Sequence, residues 1–168
     1  MSVSFSLHIS PGTSHNKENK NREEYVMNPN QELLNGIYQN AEMGKETIAR
    51  LIKETNDVAF RKVMENQLTE YQEIFDQSQK QLQDRHQKPE GLTGMEKAST
   101  YMALKMNTLT DKTSSHMAEM LIQGSTMGSV DIQKQLNRCS QADADVRRLG
   151  ERLLETEQRN IEQMQQYL

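Results

Sequence analysis

The feature that most constrains this chain is a helical hairpin written twice, once over about residues 31–82 and again over about 115–168. An offset of 84 residues sets Gln39 on Gln123, Met43 on Met127, Gly44 on Gly128 and Ile48 on Ile132. Past the turn the offset is 86, and it sets Arg61 on Arg147, Glu65 on Glu151, Leu68 on Leu154, Phe75 on Ile161 and Leu82 on Leu168. A two-residue insertion in the second turn explains the change, because connections tolerate length differences that helices do not. Two hairpins that face each other can bury both apolar stripes in one core. The expected fold is therefore all-α: an antiparallel four-helix bundle with a short crossover helix.

Apolar spacing places the elements. Over 30–55, Leu34, Ile37, Ala41, Gly44, Ile48, Leu51 and Ile52 fall on one helical stripe. Asn28 is a ready cap and Pro29 suits the first helical position. Thr55-Asn56-Asp57 predicts a tight turn and an N-cap for a second helix over 57–86, striped by Phe60, Val63, Met64, Leu68, Tyr71, Ile74, Phe75 and Leu82. Pro89 and two glycines in 86–94 break that helix. A short amphipathic segment over 94–109 carries Met95, Ala98, Met102, Met106 and Leu109, and Thr110-Asp111 offers a further cap. Helices over 112–138 and 142–167, joined near Ser140, complete the second hairpin. The domain reading is a disordered tail over 1–27, in which residues 10–27 are too polar to bury anything, with Met27 as an alternative start, then a bundle over 28–168. Its parts are hairpin one at 30–86, the crossover at 87–110 and hairpin two at 112–168.

Composition narrows function mainly by exclusion. With 24 acidic against 20 basic residues and a net charge of −4, no basic stripe is available to neutralise phosphates, which argues against nucleic acid. A mean hydropathy of −0.89 and the lack of a long apolar run argue against a membrane span, and the polar helix faces lack the Lys/Arg richness of a membrane-surface helix. The opening residues lack the basic and apolar regions of a secretory leader, so a cytoplasmic protein is expected. Cys139 is the single cysteine and has no histidine nearby in sequence, and no phosphate-binding loop or nucleophile elbow occurs.

Several residues stand out. Gly44 and Gly128 each cost about 1 kcal/mol against alanine inside a helix, so their matched placement predicts a close approach of helix one to helix three. Helical-wheel arithmetic turns Glu42, Glu46, Glu65 and Glu73 toward solvent. Glu157 and Asn160 instead lie among Leu153, Leu154, Ile161 and Met164 on a buried face. A buried carboxylate without partners costs several kcal/mol, so Glu157 is expected to be protonated or hydrogen-bonded, to the Tyr71 hydroxyl or to Gln67. A glutamate reaching water at a helix edge and a vestigial single-metal site are the alternatives. His116 and Glu119 form an i,i+3 pair, too few ligands for a metal. Of the 11 methionines, six lie between Met95 and Met127; thioethers suit Cu(I), but core packing is the favoured reading. Met43 and Met127 point away from their stripes and are the candidate interface, facing the short helix or a second subunit.

The run Glu42-Met43-Gly44, followed by Asn56-Asp57-Val58-Ala59-Phe60-Arg61, resembles the bacterial ferritin-like domains of unknown function, which share an acidic-x-Gly element and an Asp-x-x-[Leu/Phe]-[Arg/Lys] turn. The resemblance covers about residues 30–168 and implies a ferritin-like bundle of bacterial origin, with roles in stress response or spore-type assembly left open. Di-iron members of that superfamily use a Glu-x-x-His on each of two helices. None occurs here, and Glu65 and Glu151 are followed at the histidine position by Leu68 and Leu154. The expectation is a degenerate member without catalytic residues, cofactor or metal: a structural or protein-interaction module that self-associates or binds a protein partner. The alternative is a metal-binding ferritin-like protein, of storage or oxidase type, with a carboxylate site at Glu157.

Overall fold

The computed structural model describes residues 28–93 and 111–168. The expected tail over 1–27 and the expected crossover helix over 94–109 lie outside the described residues. Within them are four α-helices and no strand: α1 (Pro29–Glu54), α2 (Val58–Asp84), α3 (Ser114–Arg138) and α4 (Ala144–Met164), the last continued by a 3₁₀ turn (Gln165–Tyr167). No described helix is long and apolar enough to cross a membrane.

The starts of the first three helices are specified locally, that of α4 from across the bundle. The Asn28 side chain accepts from Asn30 N at 2.9 Å, with Pro29 in the position where a missing N–H is harmless. Asp57 accepts from Ala59 N and Phe60 N at 2.9 and 3.0 Å. The cap of α3 is Thr113, which accepts from His116 N, and not the Thr110-Asp111 pair; Asp111 instead accepts from Thr113 N and shapes the preceding turn. Asp143, at the start of α4, makes no cap bond of its own to that helix. Asn30 reaches across from α1, accepting from Asp143 N at 2.7 Å and donating to its carboxylate at 2.9 Å.

The two turns use one device. Asp57 is followed at i+3 by fully buried Phe60 and at i+4 by Arg61, whose guanidinium donates back to the Thr55 carbonyl at the end of α1. Asp143 is followed by fully buried Val146 and by Arg147, which donates to the Leu136 carbonyl in the last turn of α3 at 3.0 Å. Terminal helix carbonyls lack intrahelical donors, so an arginine returning from the next helix satisfies them and holds the hairpin closed. At the far end of α2, His86 takes a left-handed conformation (φ 56°) and Gln87 N bonds back to Leu82 O, ending the helix upstream of Pro89.

The core joins residues of the expected stripes with others, Leu33, Met117, Leu136 and Val146 among them, that the spacing did not single out. Leu33, Leu34, Ile37, Ile48 and Leu51 of α1 meet Phe60, Met64, Ile74 and Leu82 of α2, Met117, Ile132 and Leu136 of α3, and Val146, Leu153 and Met164 of α4. Burying a side chain of this size removes enough apolar surface from water to contribute about 1.5–3 kcal/mol. Polar links then connect the elements. Lys112 meets Glu54 and Ser114 meets Asp57, while Arg85 pairs with Asp145 and Arg138 with Glu32. Arg152 with Glu73 and Arg159 with Glu70 join α4 to α2.

Residues 87–93 run along α1. Asn35 Oδ1 accepts from Glu90 N, Gln39 Nε2 donates to Glu90 O, and Glu42 Oε2 accepts from Leu92 N, at 3.0, 2.8 and 2.8 Å. Glu42 is consequently only 7% exposed, which overturns its assignment to solvent. The helical wheel located one apolar stripe and treated the remainder as wet; the returning chain covers a second side. Glu65 and Glu73 are exposed, and Glu46 is partly so.

Candidate functional site

The site grows from two glycine notches. A Cβ on Gly44 would lie 2.6–2.8 Å from three ring atoms of Tyr71, and a Cβ on Gly128 would lie 2.7 Å from Glu157 Oε1. Each glycine thus admits a side chain from the following helix of its own hairpin, Tyr71 on α2 and Glu157 on α4. This corrects the expectation for Gly44, which meets α2 and not helix three, whereas a Cβ on Gly128 would also lie 3.2 Å from Asn40 Oδ1 of α1. About two turns before Gly44, Gly36 faces the Gln135 side chain of α3 with no space for a Cβ. The α3 backbone at Gly128 is also met from α1, because Asn40 Nδ2 donates to the Gly128 carbonyl at 3.1 Å.

Tyr71 and Glu157 meet in the interior. The phenol donates to Glu157 Oε2 at 2.7 Å, and Ser125 Oγ of α3 lies 3.5 Å from the same phenol oxygen. Glu157 is 2% exposed, and no described cation pairs with it. Burial pushes its carboxyl up to about 7, against the opposing effect of the bonds from Tyr71 and Ser125. Tyr71 is raised above the ordinary phenol range, first by burial and then by the neighbouring carboxylate. Asn160, one turn beyond Glu157 and also 2% exposed, lies close enough to Tyr71 to lower its pKa, yet neither amide atom makes a well-formed hydrogen bond. Gln67 does not join this group. It is buried, but its amide donates to Gln163 at 2.9 Å, one helical turn along α2 from Tyr71.

Above the pair lies a cavity of about 570 Å³ between α1 and α3. Met43, Ile48, Met120, Leu121 and Met127 supply apolar walls, while Tyr71, Ser125 and Glu157 line its inner side. Met43 is half-buried there and Met127 is 69% exposed at the mouth, so the candidate interface residues share one opening. Gln135 and Asp131 line the α3 side. Sequence reasoning did not single out Asn40, Asp131 or Gln135. The signal that was available is spacing: Ser125, Gly128 and Ile132 recur at three and four residues and share one face of α3.

The other candidates fall elsewhere. His116 and Glu119 form a 3.8 Å pair at the surface of α3. Cys139 is buried at the end of α3, and burial together with Glu32 raises its thiol pKa. Met64, Met117 and Met164 are fully buried in the core, whereas Met95, Met102 and Met106 lie outside the described residues. Among the described residues, no three His, Cys, Asp or Glu side chains gather closely enough to hold a metal ion. No family model, curated protein or solved structure matches this chain.

Proposed function

We propose that this chain is a non-catalytic structural or protein-interaction bundle that self-associates through the face where α1 and α3 meet. The observation that carries the reading is Met127, a large apolar side chain 69% exposed on the same opening as Met43, where a helix facing only water would present polar groups. The partner this reading names is a second copy of the chain. Sedimentation equilibrium tests it: wild type is expected to be a dimer or larger, and replacing Met43 and Met127 by Gln is expected to shift it toward monomer. A monomeric wild type at tens of micromolar overturns the proposal.

The finer architecture belongs to the same proposal: two antiparallel, ferritin-like hairpins derived from one repeated unit. The paired notches, Gly44 with Tyr71 and Gly128 with Glu157, support it, as do the matching returns of Arg61 and Arg147 to the ends of the preceding helices. So does the placement of helix ends, since Glu32 near the start of α1 meets Arg138 at the end of α3 and Glu54 at the end of α1 meets Lys112 just before α3. The rival, a ferritin-like carboxylate metal site, rests on Glu157 with Asn160. Elemental analysis of purified protein decides it, because stoichiometric metal lost in Glu157→Ala would replace the interaction reading.

A further inference from the structure

The cavity between α1 and α3 has a chemistry that self-association does not use. Its volume of about 570 Å³ falls in the range of about 300–1,000 Å³ typical of small-molecule sites. Its walls are methionine-rich, and flexible thioether side chains adapt to varied apolar shapes. Two acceptor groups stand in its lining. Glu157 gives one carboxylate oxygen to Tyr71, and its other oxygen faces the notch at Gly128. Gln135 Oε1 is buried and accepts no hydrogen bond. Glu157 thus has Tyr71 and Ser125 as donors, but no cation stands beside it among the described lining residues.

Charge points the same way. Asp131 and Glu157 are the ionisable acids among the described lining residues, and no lysine, arginine or histidine joins them there. A buried carboxylate without a counter-charge is costly, and a ligand that brings the missing positive charge together with N–H donors removes that cost. An anion would face the Asp131 and Glu157 carboxylates with no described cation to offset them. We infer that this cavity binds small amphipathic amines, with the ammonium group on Glu157 and an alkyl or aromatic body lying between Met43, Met120 and Met127.

The inference goes beyond self-association and stands on a different observation, a buried carboxylate in the cavity wall with no described cation beside it. Ammonium binding requires the ionised carboxylate, which competes with a proton held at a pKa of about 7. The other titratable groups facing Glu157 are Tyr71 from α2, which stays neutral, and Asp131 from α3; among the described lining residues α1 contributes none.

The test is isothermal titration of the full chain with 2-phenylethylammonium, and with phenylacetate as the anionic counterpart, at pH 6 and pH 8. The amine is expected to bind, with affinity rising about tenfold between the two pH values, while phenylacetate does not bind. Glu157→Gln, which keeps an acceptor for Tyr71 and is checked for folding by circular dichroism, is expected to lose about tenfold and the pH dependence with it. Met127→Trp, at the mouth, is expected to weaken binding without changing its pH dependence. No amine binding at millimolar concentration, equal binding of amine and phenylacetate, or an unchanged affinity in folded Glu157→Gln each overturns the inference. A monomeric wild type that still binds the amine would sink the self-association reading alone, and a dimer that ignores the amine would sink only this one.

Discussion

Tyr71 and Glu157 are each seated on a glycine of the preceding helix, yet one is a phenol and the other a carboxylate. The notch at Gly44 is filled by a flat, rigid ring whose apolar bulk belongs in a core. The notch at Gly128 is filled by the end of a flexible acid that the core does not welcome. The difference shows that a glycine in a packed helix opens space without dictating what occupies it. It also shows how one polar pair can be kept inside: the phenol that fills one notch supplies the proton donor that the acid in the other requires.

The comparison breaks most visibly with pH. Because the Glu157 carboxyl stands at about 7 in the folded protein against an ordinary value of 4.5, the folded chain holds a proton across that window that the unfolded chain has released. Folding stability should fall as pH rises from about 4.5 to 7, by up to about 3 kcal/mol, and then level off. Urea unfolding at several pH values measures this, and Glu157→Gln should flatten the curve. The tyrosine side has no such dependence below pH 9.

The two notches should also differ when they are filled. Gly44→Ala drives a Cβ into the Tyr71 ring, and overpacking of about 1–3 kcal/mol should outweigh the gain in helix propensity, for a net loss of about 2 kcal/mol. Gly128→Ala meets the ends of two flexible side chains, Glu157 and Asn40, which can shift, so the thermal unfolding midpoint should fall less than in Gly44→Ala while the carboxyl pKa moves. Equal effects would mean that the backbones, and not the side chains, require the glycines. Tyr71→Phe keeps the ring and removes the bond to Glu157. It should cost about 1–2 kcal/mol and drive the carboxyl pKa above 7, read by titration of a ¹³C-labelled glutamate. The smallest effect belongs outside the pair. His86→Gly relieves a left-handed conformation and should stabilise the chain by about 1 kcal/mol in the same unfolding assay.

Much of this architecture is legible in the chain because the determinants are local. Asn28, Pro29 and Asp57 announce helix starts through the chemistry of the next three residues, and the apolar spacing from Leu34 to Leu51 marks the buried side of α1 without reference to any neighbour. Glu157 is legible as an interior acid for the same reason. Other features depend on which element comes to lie alongside, and residue spacing does not carry that. Gly44 and Gly128 signal a close contact but not with what, and Gly36, which faces Gln135, lies among strongly apolar neighbours that conceal it. Gln67 is buried on α2 yet pairs with Gln163, because its partner is set by how α4 lies across it. Glu42 was misplaced because a loop, with no periodicity of its own, returns to cover it.

That returning loop has a kinetic consequence. Glu90 and Leu92 lie outside any helix, but their amide hydrogens are held by Asn35 and Glu42, side chains seven residues apart on one rod. Deuterium from solvent should therefore replace them more slowly than in an open loop, at the pace at which this segment lifts off α1, while the amides of Lys88 and Gly91 beside them exchange faster.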